Sequence, residues 1–324
     1  MYKNKIIFIA PLDWGLGHAT RCVPLIKKLS IHNTIIIGIT PLTQLIFDNE
    51  FPQLKKIQIE PYGISYSKRL PILLVLMLNY WRIKKVIKKE HTQLKQIVSE
   101  HHIDVVISDN RLGLYHSTVE SIYITHQLTI QAGIFSRLAN NIHQKYIKKY
   151  KSIWIPDFEN EEQSLAGKLA RTTSLKNSQY IGPLSRLEKK PSKKINIDYL
   201  FLLSGPEPQR TNLENTLIEI ANKTTKKIAL VRGTNQTLKT KILNHITLYD
   251  LPDAEILSQL ITHAETIICR SGYSTLMDLH HLQKTKLILI PTPSQTEQEY
   301  LAKYWKVKFG AKVVTQSQLK QLEL

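Results

Sequence analysis

Three stretches of this chain hold residue types at spacings that could do chemistry. The first is Cys269-Arg270-Ser271-Gly272-Tyr273-Ser274-Thr275-Leu276-Met277-Asp278. It follows the apolar run Thr266-Ile267-Ile268 and opens a segment, Ser274 to Leu282, with helical apolar spacing, so it reads as a strand, a Ser-Gly turn and a helix start. The first amides of a helix lack intrahelical acceptors and sit at the positive end of its dipole, which suits them to phosphate. Asp278 falls about one helical turn further on, where a carboxylate could accept hydrogen bonds from ribose hydroxyls. The second stretch repeats the plan, with Lys286 to Ile290 as a strand before Pro291-Thr292-Pro293-Ser294-Gln295-Thr296-Glu297-Gln298-Glu299-Tyr300. Either turn alone is equally readable as an ordinary strand-to-helix connection. The pair in this order is less ordinary.

The third stretch is Pro11-Leu12-Asp13-Trp14-Gly15-Leu16-Gly17-His18-Ala19-Thr20. Gly15 and Gly17 make only part of a Gly-x-Gly-x-x-Gly pattern because Thr20 holds the third position, so close approach of backbone to a ligand is a simpler role than a dinucleotide fingerprint. His18 lies at a helix start, where the dipole disfavours imidazolium and keeps the ring neutral. A neutral imidazole can act as a general base toward a hydroxyl, or it can simply cap or pack locally. Asp109, at the end of the apolar run Ile103 to Ser108, could orient an acceptor or a catalytic histidine, or cap the turn Asp109-Asn110-Arg111.

These residues need strands that deliver them to one edge. Lys5 to Ala10 and the Ile-rich Asn33 to Thr40 read as strands, followed by Ile57 to Ile59, Ile103 to Ser108, Ser121 to Thr125 and, last in this half, Ser152 to Pro156. Gly133 to Lys149 reads as an amphipathic helix with a basic end. Tyr180-Ile181-Gly182-Pro183-Leu184 and the basic run to Lys194 read as the linker. The alternation then restarts with strand Asp198 to Leu203, the turn Ser204-Gly205-Pro206-Glu207-Pro208, helix Asn212 to Ala221, and strand Lys227 to Val231 ending at Arg232-Gly233-Thr234. Helix Ala254 to Ala264 leads into the Arg270 turn. Two strand-helix series imply two α/β domains with parallel sheets, expected over 1–184 and 196–324 with a linker at 185–195. Their carboxyl edges are expected to face a cleft, the usual place for a ligand.

The balance of 44 basic against 26 acidic residues, a formal charge of +18, favours anionic partners such as a nucleotide or an acidic lipid surface. No zinc-finger spacing or aromatic ribonucleoprotein motif points to nucleic acid, and none is expected as a partner. Cys22 and Cys269 have no metal-ligand spacing and give no disulfide framework. The apolar run Leu70 to Leu78 contains Pro71 and is shorter than the ~18–20 residues that cross a bilayer. With no secretory signal before the first strand, a cytoplasmic protein is expected. The segment 67–89 joins apolar residues to Lys68, Arg69, Arg82, Lys84, Lys85, Lys88 and Lys89, so it could meet an anionic membrane peripherally, or be a core helix with a basic face.

Taken together, Gly15-Leu16-Gly17-His18-Ala19-Thr20-Arg21, Ser204-Gly205-Pro206-Glu207, Arg270 to Thr275 with Asp278, and Pro291-Thr292-Pro293 with Gln298-Glu299-Tyr300 resemble glycosyltransferase family 28. The family includes the peptidoglycan N-acetylglucosaminyltransferase and the plant galactolipid synthases, and the likeness is most specific from Ser204 onward. It implies the GT-B fold, two Rossmann-like domains with an N-terminal acceptor domain and a C-terminal nucleotide-sugar donor domain. It puts His18 near the reacting centre, with a histidine or nearby carboxylate as base. It puts Arg270, Ser271 and Gly272 at the donor diphosphate and Asp278 at the ribose. Gln298 and Glu299 fall on a pair that contacts the donor sugar and reads Gln-Gln in the peptidoglycan enzyme. Gly17, Ser204, Gly205, Arg232, Tyr273, Ser274, Thr275 and Thr296 complete the expected donor and nucleotide site.

The reaction expected is inverting transfer of a sugar from a UDP-sugar, UDP-N-acetylglucosamine being one candidate, to a hydroxyl of a lipid-linked or envelope glycan acceptor. No metal and no cofactor is expected, since helix amides and Arg270 would meet the charge of the leaving diphosphate. A UDP-sugar 2-epimerase of the same architecture is the alternative enzyme, and a non-catalytic basic membrane- or nucleic-acid-binding protein is the alternative without chemistry.

Overall fold

The computed structural model describes residues 2–63, 79–131, 133, 136–171, 175, 177–191, 195–238 and 240–324. The chain divides into two compact units, meeting in sequence between Leu184 and Ser185. The first is built on strands β1 (Ile6–Pro11), β2 (Thr34–Ile39), β3 (Lys55–Gln58), β4 (Val105–Asp109), β5 (Glu120–Ile124), β6 (Ser152–Ile155) and β7 (Ser178–Tyr180). Its helices are α1 (Leu16–Ser30), α2 (Gln44–Glu50), α3 (Tyr80–His101) and α4 (Ser136–Ile147). The second unit carries β8 (Ile197–Leu202), β9 (Ile228–Val231), β10 (Ile246–Tyr249), β11 (Ala264–Cys269), β12 (Leu287–Leu289) and β13 (Lys312–Val313). Its helices are α5 (Gln209–Ala221), α6 (Ala254–His263), α7 (Tyr273–His281) and α8 (Thr296–Phe309).

The first sheet runs β3-β2-β1-β4-β5-β6-β7 and the second β10-β9-β8-β11-β12-β13, with every pairing parallel. In each sheet the strand order reverses beside the first strand of the unit, between β1 and β4 and between β8 and β11. Loops leaving the two strands at such a point run in opposite directions and open a crevice at the carboxyl edge, where open α/β sheets bind ligands.

A strand buried on both faces needs apolar residues at both positions of its pleat, and β1 shows why the sequence reads Ile-Ile-Phe-Ile-Ala. Ile7 and Ile9 pack on one face with Cys22, Val23 and Ile26 of α1. Phe8 and Ala10 pack on the other with Leu94 and Ile97 of α3. In the second unit, Phe201 and Leu230 pack against Leu213, Leu217 and Ile218 of α5. β2 crosses β1 closely at Gly38, where a Cβ would lie 2.7 Å from both Ala10 Cβ and Phe8 Cζ.

Three elements depart from the sequence expectations. The first half does not end with β6, because β7 adds a further edge strand and takes in Tyr180 from the expected linker. Ser178-Gln179-Tyr180 is short and partly exposed, so it bears no apolar alternation to read. β10 and β13 extend the second sheet at its two edges, and the two-residue Lys312-Val313 is likewise too short to show a pattern. The apolar part of 67–89, through Leu78, and Ser192 to Lys194 of the expected linker lie outside the described residues. No described helix is long and apolar enough to cross a membrane.

Candidate active site

At the reversal point of the first sheet, register does the assembling. Pro11 of β1 pairs with Asp109 of β4, and Leu12 N donates to Asp109 O at 2.8 Å, so the turn out of β1 passes directly over the end of β4. That turn enters α1 at Leu16, Gly15 taking a φ of 153°. His18, in the first turn of α1, donates from Nδ1 to Asp109 Oδ1 at 2.9 Å. Arg21 lies three residues further along the same helix face and grips the carboxylate with two donors, Nε to Oδ2 at 2.5 Å and Nη2 to Oδ1. Cys22 Sγ approaches Oδ2 at 3.5 Å, and Arg21 Nη1 donates to His126 Nδ1 at 3.2 Å, just beyond the tip of β5.

The charges in this cluster are well defined. Burial works to raise the Asp109 carboxyl, but Arg21 and His18 outweigh it and hold it far below the usual carboxylate range. His18 is pushed below the ordinary imidazole value, first by burial and then by the Arg21 charge, against the pull of Asp109. A neutral ring whose Nδ1 proton faces a carboxylate carries its lone pair on Nε2. His18 keeps 19% of its side-chain surface exposed, whereas Asp109 has none. The histidine is the member that can meet a substrate; the aspartate orients it.

A second buried network fixes the neighbouring loops. Arg111, after the tip of β4, pairs through Nε with Glu90 of α3 and donates from Nη1 to Pro11 O at 3.3 Å and from Nη2 to Glu60 O. Glu90 also accepts from Tyr62 Oη at 3.1 Å and Gly113 N at 2.8 Å. Asp13, in the turn before His18, accepts from Tyr62 N at 3.2 Å. The loops after β1, β3 and β4 are thereby tied to one ion pair.

The second sheet repeats the plan with different chemistry. Leu202 of β8 pairs with Cys269 of β11, so the turns Ser204-Gly205 and Arg270-Ser271-Gly272 leave at one level. Gly205 has a φ of 104° and Gly272 is the N-cap of α7, and a Cβ on either would meet nothing within 4 Å. The cap of α7 has no side chain, so a ligand can approach its first turn, which holds Tyr273, Ser274 and Thr275. Beneath them Arg270 is buried and bonds carbonyl-type oxygens: Ile290 O and Pro291 O from Nη1, both at 3.2 Å, and Gln209 O and Gln316 Oε1 from Nη2 at 3.1 and 2.9 Å. Burial lowers it to about 10, which leaves it charged at neutral pH. Ser271 Oγ donates to Gln298 O at 2.7 Å, joining this turn to the start of α8. Asp278 accepts from Ser185 Oγ at 2.6 Å, and burial raises its carboxyl to about 7.

Residues 210–324 match the model of the glycosyltransferase family 28 C-terminal domain. Over these residues the chain is similar to that family's C-terminal domain. The matched stretch begins at Arg210 on α5 and takes in the Arg270 turn, Asp278 and the turn into α8, and the match supports an enzyme of the glycosyltransferase class. Among solved structures, spinosyn rhamnosyltransferase SpnG complexed with thymidine diphosphate is similar at 12% identity and a TM-score of 0.67, over 98% of this chain and 88% of that one. UGT89C1 from Arabidopsis thaliana, complexed with UDP-L-rhamnose, is similar at 12% identity and 0.64, over 99% and 89% of the two chains. MurG from Acinetobacter baumannii is similar at 13% and 0.55, over 98% and 89%. At these identities the likeness is one of fold, and that fold is GT-B. No curated protein matches the sequence.

Within the matched residues, several side chains expected at the donor are engaged by neighbouring turns of the same unit. Arg232 is buried, donating from Nε to Glu214 Oε1 at 2.5 Å and from Nη1 to Asp250 Oδ1 at 2.7 Å. Arg210 continues this chain of ion pairs to Glu207 in the Ser204 turn. Gln298 accepts from Thr292 N at 2.9 Å and donates to Gln295 Oε1 at 2.7 Å, and Glu299 accepts from Ser294 N at 3.1 Å. Thr296 is exposed at the first position of α8. Gly17, in the first unit, accepts from Thr20 Oγ1 through its carbonyl and is part of the His18 turn. Sequence reasoning gave no role to Arg21 or His126. The signal for Arg21 was its place three residues after His18 in a helix, which sets both on one face. Among the described residues, no group of three or more His, Cys, Asp and Glu side chains is placed to hold a metal ion.

Proposed function

We propose that the protein transfers a sugar from a UDP-sugar to a hydroxyl of a lipid-linked or envelope glycan acceptor, with inversion at the sugar's anomeric carbon. The observation that carries the reading is the His18–Asp109 pair: a neutral imidazole, oriented through Nδ1 by a buried carboxylate, with Nε2 left to accept a proton. In this reading His18 Nε2 takes the acceptor hydroxyl proton as that oxygen bonds to the anomeric carbon. The bond from that carbon to the diphosphate breaks, and its electron pair leaves with UDP. Single in-line displacement inverts the centre. The charge growing on the diphosphate is met by the amides at the start of α7 and by the field of buried Arg270, so the reading assigns no step to a metal. The thymidine diphosphate bound to SpnG and the UDP-L-rhamnose bound to UGT89C1 support a donor of this type. Asp278 is the ribose acceptor in this scheme, while Arg232, Gln298 and Glu299 hold the turns that face the donor.

The test is a pair of measurements on wild type and His18→Ala. UDP and UDP-sugars should raise the melting temperature of both proteins, since the donor groups are in the other unit. Transfer by His18→Ala should fall by ~10²–10⁴-fold, the usual range for losing a positioned general base. Unchanged turnover with a confirmed donor and acceptor would sink the role of His18. Epimerised UDP-sugar formed without acceptor would favour the 2-epimerase instead.

The surface of the first unit supports a peripheral membrane contact from the cytoplasmic side. Trp81 is 75% exposed at the start of α3, with Lys84 Nζ 5.2 Å from its ring centre, and Tyr80, Leu138 and Ile142 are exposed as well. Aromatic rings flanked by lysines are the residue types that settle at a lipid headgroup layer.

A further inference from the structure

The Arg21 guanidinium makes contacts that a simple His–Asp pair would not need. It occupies both oxygens of Asp109, one of which also receives His18, and its remaining arm reaches His126. Arginine can only donate, so His126 Nδ1 is the acceptor in that bond. A planar fork on a carboxylate fixes the plane of the carboxylate. With Asp109 unable to rotate, Oδ1 points at one place only, and His18 Nδ1 is the donor found there. Resting on the general-base reading above, we infer that Arg21 is a positioning residue for His18, clamping both oxygens of Asp109 so that a single orientation and a single tautomer of the imidazole remain.

The clamp has an electrostatic consequence. The charged groups acting on His18 are Arg21, which disfavours its protonation, and Asp109, which favours it; His126 meets the same cluster through Arg21. Cys22, on the other side of Asp109, is buried and pushed up, so it stays a neutral thiol. Without Arg21, burial would still disfavour the charged ring, but the pull of Asp109 would lose its main electrostatic opponent and the ring would protonate at a higher pH than in wild type. The arginine thus adds to burial in keeping the base free.

The experiment is a heteronuclear NMR titration of the His18 imidazole in the intact protein, alongside pH profiles of transfer. In wild type, His18 should carry its proton on Nδ1 and stay neutral to below the ordinary imidazole range. In Arg21→Met, the midpoint should rise by about one pH unit or more, as expected for removing a cation within contact distance. The acid limb of kcat/KM should move up with it, with KM for the donor unchanged. Arg21→Lys keeps the charge and loses the fork, so its midpoint should move less while kcat still falls. A wild-type His18 protonated on Nε2, or titrating at or above the ordinary value, would overturn the inference without any variant having to fold. So would a midpoint in Arg21→Met matching wild type. Because the titration needs no substrate, it separates failure of this inference from failure of the transferase reading.

Discussion

At the scale of single residues, the two reversal points hold titratable groups pushed in opposite useful directions. His18 is kept neutral and Asp109 is kept ionised, which is the pairing a base and its orienting partner need. Asp278 is raised to about 7 by burial, against the Ser185 hydrogen bond and the charge of Arg186. A carboxyl raised in the folded state favours folding below its unfolded value near 3.8, and that advantage is lost as pH climbs through about 7. Above that pH a partly buried, ionised carboxylate costs stability. Asp278→Asn keeps the acceptor for Ser185 and removes the charge, so it should be more stable than wild type at pH 8 by up to a few kcal/mol, with the difference gone near pH 4. The same carboxylate is the proposed ribose acceptor, so KM for the donor should fall in wild type as pH rises through 7 and stay high in Asp278→Asn. Thermal melts at both pH values and donor KM across pH 6–8 measure this. Equal melting of the two proteins at pH 8 would show that burial does not raise the group.

At the scale of elements, the sites are consequences of strand order. Once β4 lies beside β1, register brings Asp109 to Pro11 and the β1–α1 turn over it, and residues separated by 91 positions become a hydrogen-bonded pair. Close packing of β2 on β1 is part of that placement. A methyl at Gly38 would lie 2.7 Å from Ala10 and Phe8, both on the strand that leads to the His18 turn. Gly38→Ala should therefore cost ~1–3 kcal/mol, the usual range for overpacking, and lower the melting temperature by several degrees. A melting curve superimposable on wild type would mean the strands separate to make room. The Ile-rich runs showed these strands in the sequence because burial on both faces makes every position apolar. The His18 turn, the start of α7 and their placement at strand ends were legible for the same reason. β7 and β13 were not, since edge strands of Ser178-Gln179-Tyr180 and Lys312-Val313 need no such pattern. Nor could the sequence show that Arg21 clamps Asp109, or that Gln298 and Glu299 close their own turn. Residue types advertise chemistry, but the choice between a ligand and a neighbouring amide is made by register and loop closure.

At the scale of the whole molecule, the excess of 44 basic over 26 acidic residues sets a field that no single site explains. The ion pairs at the candidate site are buried and internally matched, so salt has little access to them. Surface lysines around Trp81 are open to solvent and screened over about 10 Å at 0.1 M salt. Attraction to anionic lipid should accordingly be salt-sensitive while the chemistry is not. Co-sedimentation with vesicles of phosphatidylcholine alone and of phosphatidylcholine with phosphatidylglycerol tests this directly. Binding should appear with the anionic vesicles at low salt and weaken steeply by 0.5 M, since each lysine near such a surface contributes ~1 kcal/mol. Trp81→Ala removes an exposed ring without disturbing the buried core, so it should lower vesicle binding several-fold and leave both the melting temperature and transfer to a water-soluble acceptor unchanged. Negligible binding to both vesicle types would remove the membrane contact and assign the positive field to attraction of the dianionic donor alone. In that case KM for the donor, and not kcat, would rise with salt.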